Sequence, residues 1–315
     1  MQLKLPKRLQ RPETPPAFSL TERDRDLVRL VSDFRFASSD QLYRFLAIAN
    51  PTTSRQKVRR RLQALFSARY LTRPTTQHVQ LGGLAPLVYC IDTAGLKLLG
   101  QSDEPRDART LWAAKASRTA SPLFLDHALG TTECMLAFAH ACAARGGTNF
   151  IDQPHVIEER FPAETRALKH PLRLRVSLKD GVKTVTVSVV PDRLFAIDSP
   201  DGRRFFALEW DTGSMAIAAR RLTKSSFGKK LRAYLAAYDE QRFQTQWGLE
   251  RLRVLTVTSS EARIRAMLDA QRDITKGRLA GMFLYAARAA LAEHGPLAPI
   301  WITSDSTCVS LLPEA

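Results

Sequence analysis

Between Thr21 and Phe66 apolar residues recur at helical spacing in three successive short runs, a pattern that demands three small helices folded on one another. Thr21, with Asp24 three residues on, resembles a capping box and opens a run carrying Leu20, Leu27, Leu30, Val31 and Phe34. Ser38, Ser39 and Asp40 offer a second cap, before a short face of Leu42, Phe45 and Leu46. The third run, TSRQKVRRRLQALFSARYL, starts after Pro51 and aligns Val58, Leu62, Leu65 and Phe66 in one buried stripe. At about 100° per residue, Gln56, Lys57, Arg60 and Gln63 then project from the opposite side, with Arg59 and Arg61 flanking them.

Such a face suits a recognition helix. Gln and Arg near its N-terminal half can pair with adenine and guanine edges in a major groove. Arg55, Arg59 and Arg61 would hold phosphates beside them. A solvated basic face would read the same way in isolation, so the context matters. The next segment reads as a β-hairpin: QHVQL, a GGLAP turn and LVYCI, followed by a helix from about Thr93 carrying Leu96, Leu98 and Leu99. Helix, helix, helix, hairpin is winged-helix order. Residues 18–100 are therefore expected to form a winged helix-turn-helix domain that grips double-stranded DNA, with His78 and Gln80 of the wing as further contacts. Residues 1–17, basic and with four prolines within the opening eighteen positions, read as a flexible arm.

The charge supports a polyanionic partner. Of 315 residues, 47 are Lys or Arg and 31 are Asp or Glu, a formal net charge of +16. Residues 1–120 carry +11 of this and residues 121–315 only +5. A membrane partner would need a long apolar span, a lipidation signal or an aromatic-bearing basic amphipathic helix, and none is clear, so a cytoplasmic location is expected. Cys90, Cys134, Cys142 and Cys308 lack the close pairing of a zinc site, and His127 and His140 fall on different helix faces.

Residues 101–121 mix charges with small residues and read as a linker. From residue 122 to 315 the pattern becomes mixed. A long helix over 125–145 is followed by expected strands at HVIEERF, at the hairpin LRLRVSL-KDG-VKTVTVSV, and at PDRLFAID and RFFALEWD. A helix from about Met215 to Glu240, a strand at RLRVLTVTS, a helix capped by Ser259-Ser260 and a final strand at APIWITSD complete it. GMFLYAARAALAEHG reads as strand then helix.

This order is that of a restriction-endonuclease-like core. Pro191-Asp192 and Glu209-Trp210-Asp211 resemble the signature of the PD-(D/E)XK nuclease superfamily, in which an Asp and a Glu from adjacent strands hold Mg²⁺. The superfamily's lysine would stand at Asp211, so it is missing there. Asp192, Glu209 and Asp211 are the expected metal ligands and catalytic carboxylates of an active version, with Mg²⁺ its cofactor. Lys224, Lys229 or Lys230 could reach back to replace the lysine, with Lys230 the expected catalytic lysine of an active version, and Glu133 could add a ligand.

LTERDRDLVRL, SSDQLYRFL, RRRLQALFSARYL and LVYCIDTAGLKLL, taken with Asp192 and the acidic Glu209-Trp210-Asp211 followed by Thr212-Gly213, resemble the replication-relaxation family of plasmids and integrating elements. The resemblance implies an α+β protein, a winged helix followed by a restriction-endonuclease-like α/β domain. It implies a role in replication, relaxation or mobilisation, with replication or mobilisation proteins as partners. Three readings stand: a DNA-binding protein whose nuclease-like domain does not cut, a Mg²⁺-dependent endonuclease targeted by the winged helix, and a winged-helix transcriptional regulator. Because winged helices commonly bind paired half-sites, a homodimer is the expected assembly.

Overall fold

The computed structural model describes residues 10–14, 17, 19–77, 85–100, 117–181, 183–218 and 224–313. The protein is mixed α+β and divides into two compact units, Met1–Leu136 and Ala137–Ala315.

In the first unit the three expected helices form where their caps place them. The Thr21 hydroxyl accepts from the Asp24 amide while the Asp24 carboxylate accepts from the Thr21 amide, opening α1 (Glu22–Phe34). Ser38 and Gln41 make the same reciprocal pair at the start of α2 (Ser39–Ala49). Ser54 caps α3 (Arg55–Ser67). Val58, Leu62, Leu65 and Phe66 pack on Leu27, Val28, Val31 and Leu42 in one core, each such side chain contributing about 1.5–3 kcal/mol through burial.

Three short strands complete the unit: β1 (Ala37–Ser38), β2 (Leu71–Thr72) and β3 (Val88–Ile91), in antiparallel order β1-β3-β2. The hairpin expected from QHVQL differs here. The ladder partner of Cys90 and Ile91 is Leu71–Thr72, and Gln77 lies outside any strand. Its side-chain amide instead accepts from Val88 N at 2.9 Å and donates to Val88 O at 3.1 Å, replacing a strand neighbour with one side chain. Residues 78–84, including His78 and Gln80, lie outside the described residues. The arm is anchored at Arg11, which donates to Phe66 O at 2.8 Å, to Leu71 O at 2.9 Å and to the Asp92 carboxylate. Asp92 caps α4 (Thr93–Leu98). Helix α5 runs over Pro122–Arg145, and its Leu125 joins Phe36, Val88 and Cys90 in a second buried cluster of this unit.

The second unit is built on a seven-stranded sheet. Its strands are β4 (Asn149–Ile151), β7 (Arg193–Ser199), β8 (Gly202–Trp210), β9 (Arg253–Thr258), β10 (Phe283–Ala287), β11 (Trp301–Ile302) and β12 (Cys308–Val309), in the order β12-β11-β10-β9-β8-β7-β4. The central trio β8, β9 and β10 is parallel and the other neighbours are antiparallel. The expected hairpin forms β5 (Leu174–Asp180) and β6 (Lys183–Val189) as a separate two-stranded ribbon. Its apolar face joins the core with α8 (Phe227–Asp239).

Two expectations fail in this unit. All of HVIEERF but its last residue lies in helix α6 (Gln153–Arg160), because Pro154 in the first turn already has helical φ and Val156 is the one buried residue of the helix, with buried Phe161 following as its C-cap. The short helix α7 (Ala163–Arg166) follows it. The helix expected from about Met215 begins only at Phe227, where the Ser226 hydroxyl accepts from the Lys229 amide at 3.1 Å. Residues 211–218 before it are irregular, and 219–223 are outside the described residues. Helix α9 (Arg242–Trp247) follows. Ser260 caps α10 (Glu261–Thr275), and GMFLYAARAALAEHG is indeed strand β10 then helix α11 (Arg288–His294). Among the described residues no helix is long and apolar enough to cross a membrane.

Candidate functional site

Helix α3 presents an exposed basic face. Arg55, Gln56, Lys57, Arg59 and Arg60 are all exposed, opposite the buried Val58 and Leu62. Lys57, Arg59 and Arg60 pair with no carboxylate among the described residues, so their full charge faces solvent. Three of the other nominated residues have internal work. Arg55 donates to Asp40 and lies over the Tyr43 ring at 4.7 Å. Arg61 forks onto Asp24, with one bond of 2.8 Å, and donates to Ser19 O. Gln63 accepts from Arg73 at 2.7 Å, a guanidinium stacked 3.9 Å from the Phe66 ring centroid.

The Arg61 fork decides the state of Asp24. Burial alone would raise its carboxyl, but bonds from Arg61 and Thr21 hold it below the ordinary range. Glu133, weighed above as an additional ligand, accepts from Gln41 at 3.1 Å and Arg44 at 2.5 Å within this unit.

In the second unit the nominated carboxylates stand at the carboxyl end of β8. Asp192 precedes β7 and accepts from Trp210 N at 2.8 Å, which ties the two strands where β8 ends. Glu209, buried on β8, accepts from the Tyr234 hydroxyl at 2.6 Å and from the Lys230 ammonium. Both donors come from α8, one helical turn apart, so their position follows from the Ser226 cap that sets this helix. Lys230 therefore does reach back to the carboxylates, whereas Lys224 is exposed and Lys229 pairs with none of them.

Asp211 sits just beyond β8 and is held by partners the sequence did not suggest. Arg263 of α10 grips both its oxygens, at 2.5 and 2.9 Å, and the Thr258 hydroxyl donates at 2.6 Å. Arg288 donates to Asp211 O at 2.7 Å while lying 4.5 Å from the Trp210 ring centroid. Sequence separations of 47 to 77 residues leave no local signal for these contacts.

The electrostatics follow from this geometry. Burial pushes the Glu209 carboxyl up, helped by the charge of Asp192 and opposed by Lys230 and Tyr234. Burial would lower Lys230, but Glu209, Asp192 and Asp211 together raise it and keep it charged. Burial would also raise Asp211, yet Arg263 and Thr258 hold it below the ordinary carboxylate range. Mg²⁺ needs several unshared oxygen ligands around one point. Here the three carboxylates are turned to three different sets of donors, and among the described residues no three His, Cys, Asp or Glu side chains are placed to hold a metal ion. As arranged, the residues do not fit the cation.

The protein is thus a two-unit α+β chain with an exposed basic helix in one unit and a carboxylate cluster neutralised by its own cations in the other. It belongs to the replication-relaxation family, whose model matches residues 28–252 and so spans both features. That membership connects the chain with replication or relaxation. No curated protein and no solved structure matches it.

Proposed function

We propose that the chain is a duplex-DNA-binding protein of a plasmid or integrating element that acts in replication, relaxation or mobilisation of that element. In this reading residues 18–100 form a winged helix and residues 122–315 a restriction-endonuclease-like domain of PD-(D/E)XK type. Residues 101–121 join them, and a homodimer reads paired half-sites. The observation that carries it is the exposed set Gln56, Lys57, Arg59 and Arg60 on α3, which has no acidic partner among the described residues. The order α1-β1-α2-α3-β2-β3 with a three-stranded antiparallel sheet supports the winged-helix assignment.

Lys230 and Arg263 support the view that the second unit binds without cutting, because they place fixed positive charge among carboxylates that would otherwise draw a cation. Metal-dependent cleavage is the competing reading, and the contact of Lys230 with Glu209 is the observation in its favour. Both are tested with one set of preparations. Fluorescence anisotropy with labelled duplex fragments should show binding by the wild type and its loss in a Lys57→Ala, Arg59→Ala, Arg60→Ala variant. Supercoiled plasmid with Mg²⁺ or Mn²⁺ should stay uncut. Nicking that disappears in Asp192→Asn and Glu209→Gln would make the protein an endonuclease, and absence of duplex binding would remove the whole reading.

A further inference from the structure

A second charged feature lies at the opposite end of the central strands from the carboxylates. Strand β8 enters the sheet at Gly202 and reaches Glu209 near its end, so Arg204 stands roughly 16 Å from Glu209 along the strand at about 3.3 Å per residue. There, a cavity of about 690 Å³ opens beside the amino ends of β8, β9 and β10, a size within the usual range of about 300–1,000 Å³ for small-molecule sites. Arg160, Arg204, Arg251 and Arg253 line it, together with Tyr238 and Phe205. Arg203 also lines it but is neutralised by Asp198 and Glu159. Asp201 and Glu250 are its acidic members.

The arginines do not pair with those acids. Among the described residues none of Arg160, Arg204, Arg251 and Arg253 is in an ion pair. Arg160 donates to Gly248 O at 2.9 Å and lies 5.5 Å from the Phe205 ring centroid, and Arg204 makes a 3.4 Å bond to Leu311 O. Arg253 pairs in register with Phe206, which shares a strand face with Arg204, so two guanidiniums stand together on that face. Burial lowers the Arg253 pKa, and the charge of Arg204 lowers it further. A half-buried arginine beside another, with no carboxylate on either, is an arrangement that an anion would relieve. Guanidinium forks pair bidentately with the oxygens of oxyanions such as phosphate, and two adjacent forks suit its multiple oxygens and charge.

We propose that this cavity, which opens around the strand ends, is a phosphate-binding site for a nucleotide unit, with Arg204 and Arg253 on the Phe206 face as the principal contacts, and with Arg160 and the half-exposed Tyr238 ring, on the Phe205 side, available to the rest of the nucleotide. The unit comes either as a free nucleoside triphosphate or as part of a single DNA strand, and both supply the same chemistry. The site is independent of the α3 face.

Isothermal titration calorimetry with ATP, and anisotropy with a short fluorescein-labelled oligothymidylate, separate the two sources in the full-length protein. Arg204→Gln, Arg253→Gln is the informative variant, because removing two like charges leaves no carboxylate unpaired and should not lower the melting temperature. Loss of ATP binding by about tenfold or more in this variant assigns a free nucleotide. Loss of oligothymidylate binding alone assigns a DNA strand. In either case the Lys57→Ala, Arg59→Ala, Arg60→Ala variant should retain the binding, which separates this site from the duplex reader. The proposal is overturned if the wild type binds neither probe, or if the folded double variant binds as well as the wild type.

Discussion

Lys230 of helix α8 donates its ammonium to the buried carboxylate of Glu209, a residue 21 positions earlier that lies near the end of β8. The lysine supplies the main opposite charge to a carboxyl that burial and Asp192 both push toward protonation. Replacing it by Met leaves an unpaired buried acid. With Lys230 about one-third exposed, the cost should reach about 2 kcal/mol once Glu209 is fully ionised, below the range for a fully buried pair. The sign of its pH dependence follows. A carboxyl whose native pKa lies above its unfolded value favours the fold only while protonated, so the Lys230→Met deficit should be smallest near pH 4.5 and grow as pH rises through the native pKa of Glu209. Urea midpoints across that range measure it. A deficit that does not vary with pH would contradict the pairing.

Asp211 behaves in the opposite sense. Arg263 and Thr258 depress its pKa against burial, so its contribution is present above the unfolded value and lost as pH falls through the native one. Arg263→Gln should cost about 1–3 kcal/mol at neutral pH. The gap from wild type should close in acid, once Asp211 is protonated in both states. Thermal melts at a series of pH values test this.

These two pairings mark the boundary of what the sequence could disclose. Local chemistry was legible: Thr21 with Asp24 and Ser38 with Gln41 state their helix starts within four residues, and the KDG turn states its hairpin. The two-residue strand Leu71–Thr72 is too short to show a period, so QHVQL reads as the partner of β3 in its place. Val156, Ile157 and Phe161 mimic a strand's apolar content, and Pro154 is the local sign of a helix start that competes with it. Around the candidate site, the motif singles out Asp192 and Glu209, and the reach of the following helix points to the contact that Lys230 makes with Glu209. Arg263, Thr258 and Tyr234 have no such sign, because their contacts are created by the fold and leave no spacing in the chain.

Gly95, inside α4, is required by a close approach. A Cβ there would stand 2.3 Å from Tyr70 O, the carbonyl that accepts from Asp92 N at 3.0 Å. Gly95→Ala must therefore displace backbone at the base of the three-stranded sheet and should destabilise the protein by about 1–3 kcal/mol, despite the better helix propensity of Ala. A chemical denaturation curve would show it. An unchanged or raised midpoint would mean that α4 lies further from Tyr70.

Arg61 and Arg60 are neighbours with opposite assignments. Arg61 is the partner of Asp24, whose side chain is fully buried, and Asp24 also closes the cap of α1. Arg61→Ala should lower stability by about 2 kcal/mol, the loss being moderated by the partial exposure of the arginine. Arg60 is exposed and pairs with no carboxylate among the described residues, so Arg60→Ala should leave the melting temperature within about 1 °C while weakening duplex binding. Equal losses of stability in the two variants would show that Arg60 is also structural.

The exposed face of α3 makes a quantitative demand on salt dependence. Each phosphate neutralised by Lys57, Arg59 or Arg60 releases condensed counterion, so the logarithm of duplex affinity should fall linearly with the logarithm of salt concentration. Removing one of these charges should reduce the slope by about 1 and weaken binding across all sequences alike. Gln56, also exposed but uncharged, should behave differently. If it reads a base edge, Gln56→Ala leaves the slope unchanged and costs about 1–3 kcal/mol at one base-pair position only. Affinities of the four single variants, measured on a preferred and a scrambled duplex over a salt series, distinguish these effects. A slope that ignores Lys57, Arg59 and Arg60 would place the DNA on another surface.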